Sequence, residues 1–86
     1  MITIWKTVLR LETQQVIRVP AGAGLLCARE QKGQICVWYK CNDKITVMES
    51  RTILIIGTGN EAPVAGRYLG TASLEDGTYM YHVFEM

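Results

Sequence analysis

The chain has one histidine, His82, and any relay from a nucleophile through an imidazole to an acid must pass through it. It sits in Tyr81-His82-Val83, where strand alternation pairs it with Met80 and Phe84 on an apolar face. A satisfied, partly buried imidazole fits that setting better than a general base does. The carboxylates Glu49, Glu61, Glu75, Asp76 and Glu85 fall at turns or strand ends, where charged groups are usually just solvated. Cys27, Cys36 and Cys41 lack C-x-x-C spacing, and a single histidine leaves metal ligation poorly supplied. The residues therefore predict no catalytic set, no metal site, no cofactor and no enzymatic activity.

Binding chemistry is better represented. Gly57-Thr58-Gly59-Asn60 follows an apolar run, as phosphate loops do, but lacks G-x-G-x-x-G, Gly-Lys-Ser/Thr and a following helix. Such a segment is either a tight turn leaving a strand or a backbone nest whose N–H groups suit an anion. In the second case Thr58 adds a hydroxyl, and Arg51 and Arg67, which flank the loop's strands, meet phosphate. Trp5, Trp38 or Tyr81 supplies a surface for stacking a base. The candidate ligand-binding residues are thus Gly57, Thr58, Gly59, Asn60, Arg51, Arg67, Trp5, Trp38, Tyr81 and His82. Taken singly, Arg10, Arg18, Lys6 and Lys40 read as solvated charges, although strands can bring distant cations to one groove.

The elements that must position these groups are strands. Ile, Val, Thr and the aromatic residues together fill 30 of the 86 positions, whereas alanine occurs six times. The first strand, Ile2 to Leu11, carries apolar residues on both faces and reads as a central strand; Gln15 to Val19 is a second, stopped by Pro20 and two glycines. Leu25 to Gln31 and Gln34 to Cys41 form a hairpin at Lys32-Gly33, in which Arg29 faces Cys36 and Cys27 faces Trp38. A shifted register would instead set Cys27 against Cys36 and permit a bridge. Ile45 to Glu49 reads as a weak strand and Arg51 to Ile56 as a strong one. Arg67 to Leu74 and Thr78 to Glu85 form a hairpin around Asp76-Gly77, with Leu74 facing Tyr79, Ala72 facing Tyr81 and Gly70 facing Val83. There Tyr81 lies over the gap left by Ala72 and Gly70. The expected fold is all-β: a small antiparallel sandwich or open barrel of seven or eight strands, with residues 1–86 as a single domain.

A chain of 86 residues buries about 64% of its unfolded surface, so the core is thin. That thinness, with sheet edges to cover, predicts a homo-oligomer, most simply a two-fold dimer. The net charge of +1 argues against non-specific nucleic-acid binding and against an acidic nucleic-acid mimic. No apolar run is long enough for a membrane span and the start lacks a signal-peptide pattern, so no membrane partner is expected. The odd cysteine count suits three reduced thiols in a cytosol.

From end to end the sequence resembles a family of short, largely uncharacterised bacteriophage and prophage proteins. The matching pieces are Thr3-Ile4-Trp5-Lys6, Val19-Pro20-Ala21-Gly22-Ala23, Ile35-Cys36-Val37-Trp38, Ile56-Gly57-Thr58-Gly59, Tyr68-Leu69-Gly70-Thr71 and His82-Val83-Phe84-Glu85. The chain departs from that family at Asn60, where a histidine is frequent, and at Tyr81, where a tryptophan is frequent. The resemblance brings no activity of its own. It implies a phage setting, the host cell cytoplasm, and antagonism of host defence. Joined to the residues above, it leads to a counter-defence protein that sequesters a small anionic nucleotide-type immune signal. The alternatives are a protein-binding inhibitor of a host defence complex, of anti-CRISPR type, and a virion or assembly component.

Overall fold

A computed structural model describes residues 1–86. The chain forms seven strands and no helix: β1 (Ile2–Val8), β2 (Gln14–Pro20), β3 (Gly24–Gln31), β4 (Gln34–Asn42), β5 (Met48–Gly57), β6 (Arg67–Leu74) and β7 (Tyr79–Glu85). They make two antiparallel sheets, β1-β4-β3 and β2-β5-β7-β6, which face each other as a small sandwich and do not close into a barrel.

Alternation along each strand sends one row of side chains inward. In the three-stranded sheet that row includes Leu25, Ala28, Ile35, Val37, Tyr39 and Cys41; the opposing sheet contributes Ile17, Val19, Ile53, Ile55, Leu69, Ala72 and Val83. Val19, Val37, Ile53 and Val83 are wholly buried. Fully burying a side chain of this size is worth about 1.5–3 kcal/mol, and these three valines and one isoleucine hold the two sheets together at the centre.

One lateral edge of the sandwich is nearly sealed, because β3 runs against β6. Gly70 makes this approach possible. Its φ is +153°, and a Cβ there would overlap the Ala28 carbonyl oxygen of β3. The gap at Gly70 is therefore filled by the backbone of the other sheet. This corrects the expectation that Tyr81 covers it; Tyr81 instead packs at the margin of the core, beside Gly57.

Both hairpin registers match the pattern expected from their turns. Lys32 and Gly33 have φ of 53° and 79°, as a two-residue turn with both residues left-handed requires, and Arg29 faces Cys36 while Cys27 faces Trp38. Cys27 therefore does not face Cys36, the shifted register is not adopted, and all three cysteines are free. In the second hairpin Leu74 faces Tyr79, Ala72 faces Tyr81 and Gly70 faces Val83.

Two further expectations fail. The first strand ends at Val8 and is an edge strand paired only with β4, not a central one. Its apolar residues on both faces arise because Ile2, Ile4, Trp5 and Val8 stay 40–63% exposed. No strand forms at Ile45 to Val47; pairing begins at Met48, opposite Pro20, and continues unbroken to the next strand.

Candidate ligand-binding site

The register of β1, β4 and β3 decides which side chains share the outer face of the three-stranded sheet. Directly paired residues point the same way. Lys6 and Cys27 both pair with Trp38, Ile4 and Gly24 pair with Lys40, and Val8 and Arg29 pair with Cys36. The outer face thus carries Trp38 with three exposed cations, Lys6, Lys40 and Arg29, at adjacent or diagonal positions. No aspartate or glutamate occupies these rows.

Beside Trp38 lies an open cleft of about 700 Å³, floored by Trp38, Ile4 and Cys27 and walled by Arg29, Gln31 and Thr71. The volume falls within the usual range for small-molecule sites. Lys6 Nζ donates to Gln31 Oε1 at 2.6 Å, which draws the ammonium toward the cleft wall. Glu30 stands at the rim, where its carboxylate accepts the Gly33 N–H at 3.4 Å. An indole face flanked by an ammonium and a guanidinium can stack a planar ring and pair with phosphate oxygens.

Thr71 connects this cleft to the histidine. His82 Nδ1 lies 3.0 Å from Thr71 Oγ1, and His82 Nε2 lies 2.7 Å from Thr58 Oγ1. Tyr68 Oη is hydrogen-bonded to Thr71 Oγ1 as well. A chain of hydroxyls and imidazole therefore crosses the outer face of the four-stranded sheet, from Thr58 to the cleft wall. Each threonine hydroxyl can donate or accept, so the imidazole is satisfied in either charge state. The expected apolar surroundings of His82 hold for Met80 and Phe84 along its own strand and for Ile56 across β5, whereas Thr71 across β6 is polar. Both imidazole nitrogens are bonded to threonine hydroxyls and neither to a carboxylate of the kind that orients an acid–base relay.

The glycine loop sits at the far end of this chain. Thr58 N–H donates to Met80 O at 3.2 Å, and the Gly57 carbonyl accepts both Asn60 N–H and Asn60 Nδ2–H. Two of the donors an anion nest needs are thereby turned inward. Gly57, Thr58, Asn60 and Tyr81 border an open hollow of about 360 Å³, and Gly59, with φ +92°, forms the turn itself.

Arg51 and Arg67 are elsewhere. Arg51 lies on the inward-facing row of β5, roughly 20 Å along the strand from Gly57. Its guanidinium bonds Glu49 Oε1 at 2.8 Å, Glu85 Oε2 at 2.7 Å and the Ala23 carbonyl. The hydrogen bond from Arg51, reinforced by the Gly22 N–H, holds the Glu49 carboxyl below its ordinary range. The same bond to Glu49 raises Arg51 further, against its partial burial and with help from Glu85. Arg67, largely exposed, reaches the other Glu85 oxygen at 3.9 Å. These arginines form an ion cluster that ties β5 to β7 and to the β2–β3 turn. Trp5 lies on the inward-facing row of β1, 40% exposed, on the other side of its sheet from Trp38.

The structure thus brings Thr58, Gly57, Gly59, Asn60, Tyr81 and His82 together, puts Trp38 in a cleft connected to them through Thr71, and separates Arg51, Arg67 and Trp5 from both groups. The model of a family described as a domain of unknown function, DUF7352, matches residues 1–86. The chain belongs to that family. No curated protein and no solved structure matches it.

In this DUF7352 chain the residues that sequence reasoning misses are Arg29, Gln31 and Thr71. The signal for Arg29 is the hairpin itself: once Cys27 faces Trp38 and Arg29 faces Cys36, the two-residue period places Arg29 on the tryptophan's face. Thr71 gives no such signal, because its place at the cleft depends on the non-local approach of β6 to β3.

Proposed function

We propose that this chain is a non-enzymatic binding protein that holds a small anionic nucleotide-type ligand against Trp38. The observation that carries this reading is the outer face of the three-stranded sheet, where Lys6, Lys40 and Arg29 occupy the rows at and beside Trp38 and those rows bear no carboxylate. Arg29 lines the cleft itself, with Glu30 at its rim. The indole stacks on a base, Arg29 engages a phosphate edge in two hydrogen bonds, and the lysines neutralise the remaining charge. Gln31 and Thr71 supply neutral hydrogen bonds that orient the sugar or base. The ligand is held intact, because the one imidazole is committed to threonine hydroxyls and no carboxylate supports it.

The resemblance to short phage proteins gives the setting: a counter-defence protein in the host cytoplasm, whose ligand is a nucleotide-type immune signal. A thermal-shift screen against cyclic dinucleotides, cyclic trinucleotides and ADP-ribose-type signals tests it. The expected result is stabilisation by one ligand class, with the ligand recovered chemically unchanged.

A second reading, a protein-binding inhibitor of a host defence complex, draws on the outer face of the four-stranded sheet. Val16, Tyr68 and Met80 are exposed there around half-buried Leu54 and Phe84. It predicts a flat ligand screen and co-purification of a host effector.

A further inference from the structure

We propose that β1 is an intermolecular strand, pairing antiparallel with β1 of a second copy about a two-fold axis at Trp5. The hydrogen-bonding direction of β1 is fixed at its two ends. Leu9 N–H donates to Ile35 O at 2.8 Å and Met1 O accepts Asp43 N–H at 3.1 Å, both continuing the β1–β4 ladder. Odd-numbered residues therefore point their backbone groups at β4, and Ile2, Ile4, Lys6 and Val8 point theirs away from the sheet.

That outward edge is weakly protected, with Lys6 its one guard. It is seven residues long, has no proline or bulge, and bears a single charge among 40–63% exposed Ile2, Ile4, Trp5 and Val8. The other edge strand of the sandwich, β2, ends in Pro20 and carries Arg18.

The sequence of β1 selects its own copy as the occupant. Centring the two-fold on Trp5 pairs Ile2 with Val8, Thr3 with Thr7 and Ile4 with Lys6, so every outward N–H and C=O is used. Moving the axis to Ile4 leaves Val8 unpaired; moving it to Lys6 sets two lysines directly opposite and leaves Ile2 unpaired. Only the Trp5 register satisfies the whole edge without like-charge opposition.

The same register extends the ligand face, a consequence that rests on the binding reading above. Ile4 floors the Trp38 cleft, and its partner across the axis is Lys6 of the partner subunit, on the same face. Each cleft thereby gains a cation from the other copy.

Light scattering on the ligand-free protein tests the interface. The expected mass is twice 9.7 kDa at micromolar concentration. Ile4→Pro removes an outward N–H and leaves the β4 ladder intact, so it should give a monomer with an unchanged far-UV spectrum. Trp5→Cys should form a reducible cross-linked dimer, since Cα atoms at a non-hydrogen-bonded pair lie about 4.5 Å apart, within disulfide reach. Thr3→Cys should not, because Thr7 faces it. A wild-type monomer, or a dimer in which Trp5→Cys fails to cross-link, overturns the proposal; the cross-link decides even if Ile4→Pro does not fold. A dimer with a flat ligand screen leaves the interface standing and removes only the ligand reading.

Discussion

Thr71 Oγ1 lies 3.0 Å from His82 Nδ1, and the same threonine walls the cleft beside Trp38. The contact joins two features that are far apart in the sequence: the loop after β5 and the aromatic face of the opposite sheet. It also gives the single histidine a role. Held by Thr58 on one nitrogen and Thr71 on the other, His82 works as a brace that fixes the loop to β6.

Replacing His82 with alanine removes both hydrogen bonds, each worth about 1 kcal/mol net. For a domain of this size the midpoint of thermal unfolding should fall by roughly 8–16 °C. Differential scanning calorimetry checks the fall, and hydrogen exchange should locate faster opening at Thr58 to Asn60. An unchanged midpoint would contradict the brace.

Gly70→Ala should be among the most damaging small substitutions in the chain. The new methyl group meets the Ala28 carbonyl, so β3 and β6 must separate, at a cost of about 3 kcal/mol with the backbone strain included. Gly59→Ala is the control: its φ is also positive, at +92°, but the space around it is open. Only about 1 kcal/mol should be lost there. Urea titration of both variants separates a steric cause from a purely conformational one.

The ion cluster contributes to the acid response. The Glu49 carboxyl is depressed in the folded protein, chiefly by its hydrogen bond from Arg51, so the folded state binds this proton less readily than the unfolded chain. Its contribution to stability is present in full above the ordinary value of 4.5 and is lost as pH falls through the lower, folded value. Wild type should therefore lose stability on acidification more steeply than Glu49→Gln, and the two should converge at low pH. Denaturant midpoints between neutral pH and pH 3 measure this, and parallel curves would exclude Glu49 as a source.

How much of this is legible in the sequence follows from the range of each interaction. The Lys32-Gly33 turn and the Leu74–Tyr79 register are local, set by turn chemistry and two-residue alternation, and both can be read directly. The candidate residues Thr58 and His82 can each be picked out, but their 2.7 Å contact needs β5 and β7 to be neighbours, which no local pattern states. The edge position of β1 is hidden for the same reason. Apolar residues on both faces suit a covered strand and an unpartnered one equally, and only the sheet order separates the two. The assignment of Arg51 to a ligand fails on proximity: it flanks the loop's strand in sequence, but the strand's length carries it to the opposite end, where Glu49 and Glu85 take its donors.

The central claim is that Trp38 and its cations bind a nucleotide-type anion. Isothermal calorimetry with the ligand found by the nucleotide screen, on wild type, Trp38→Ala and Trp5→Ala, tests it most directly. Base–aromatic stacking is worth about 1–3 kcal/mol, so Trp38→Ala should weaken affinity by roughly 5- to 150-fold, while Trp5→Ala, which removes no stacking surface from the cleft, should cost much less. Raising the salt concentration should weaken wild-type binding, as expected when Lys6, Lys40 and Arg29 face the anion. Binding that survives Trp38→Ala undiminished, or heat absent across the whole nucleotide panel with wild-type protein, would contradict the account.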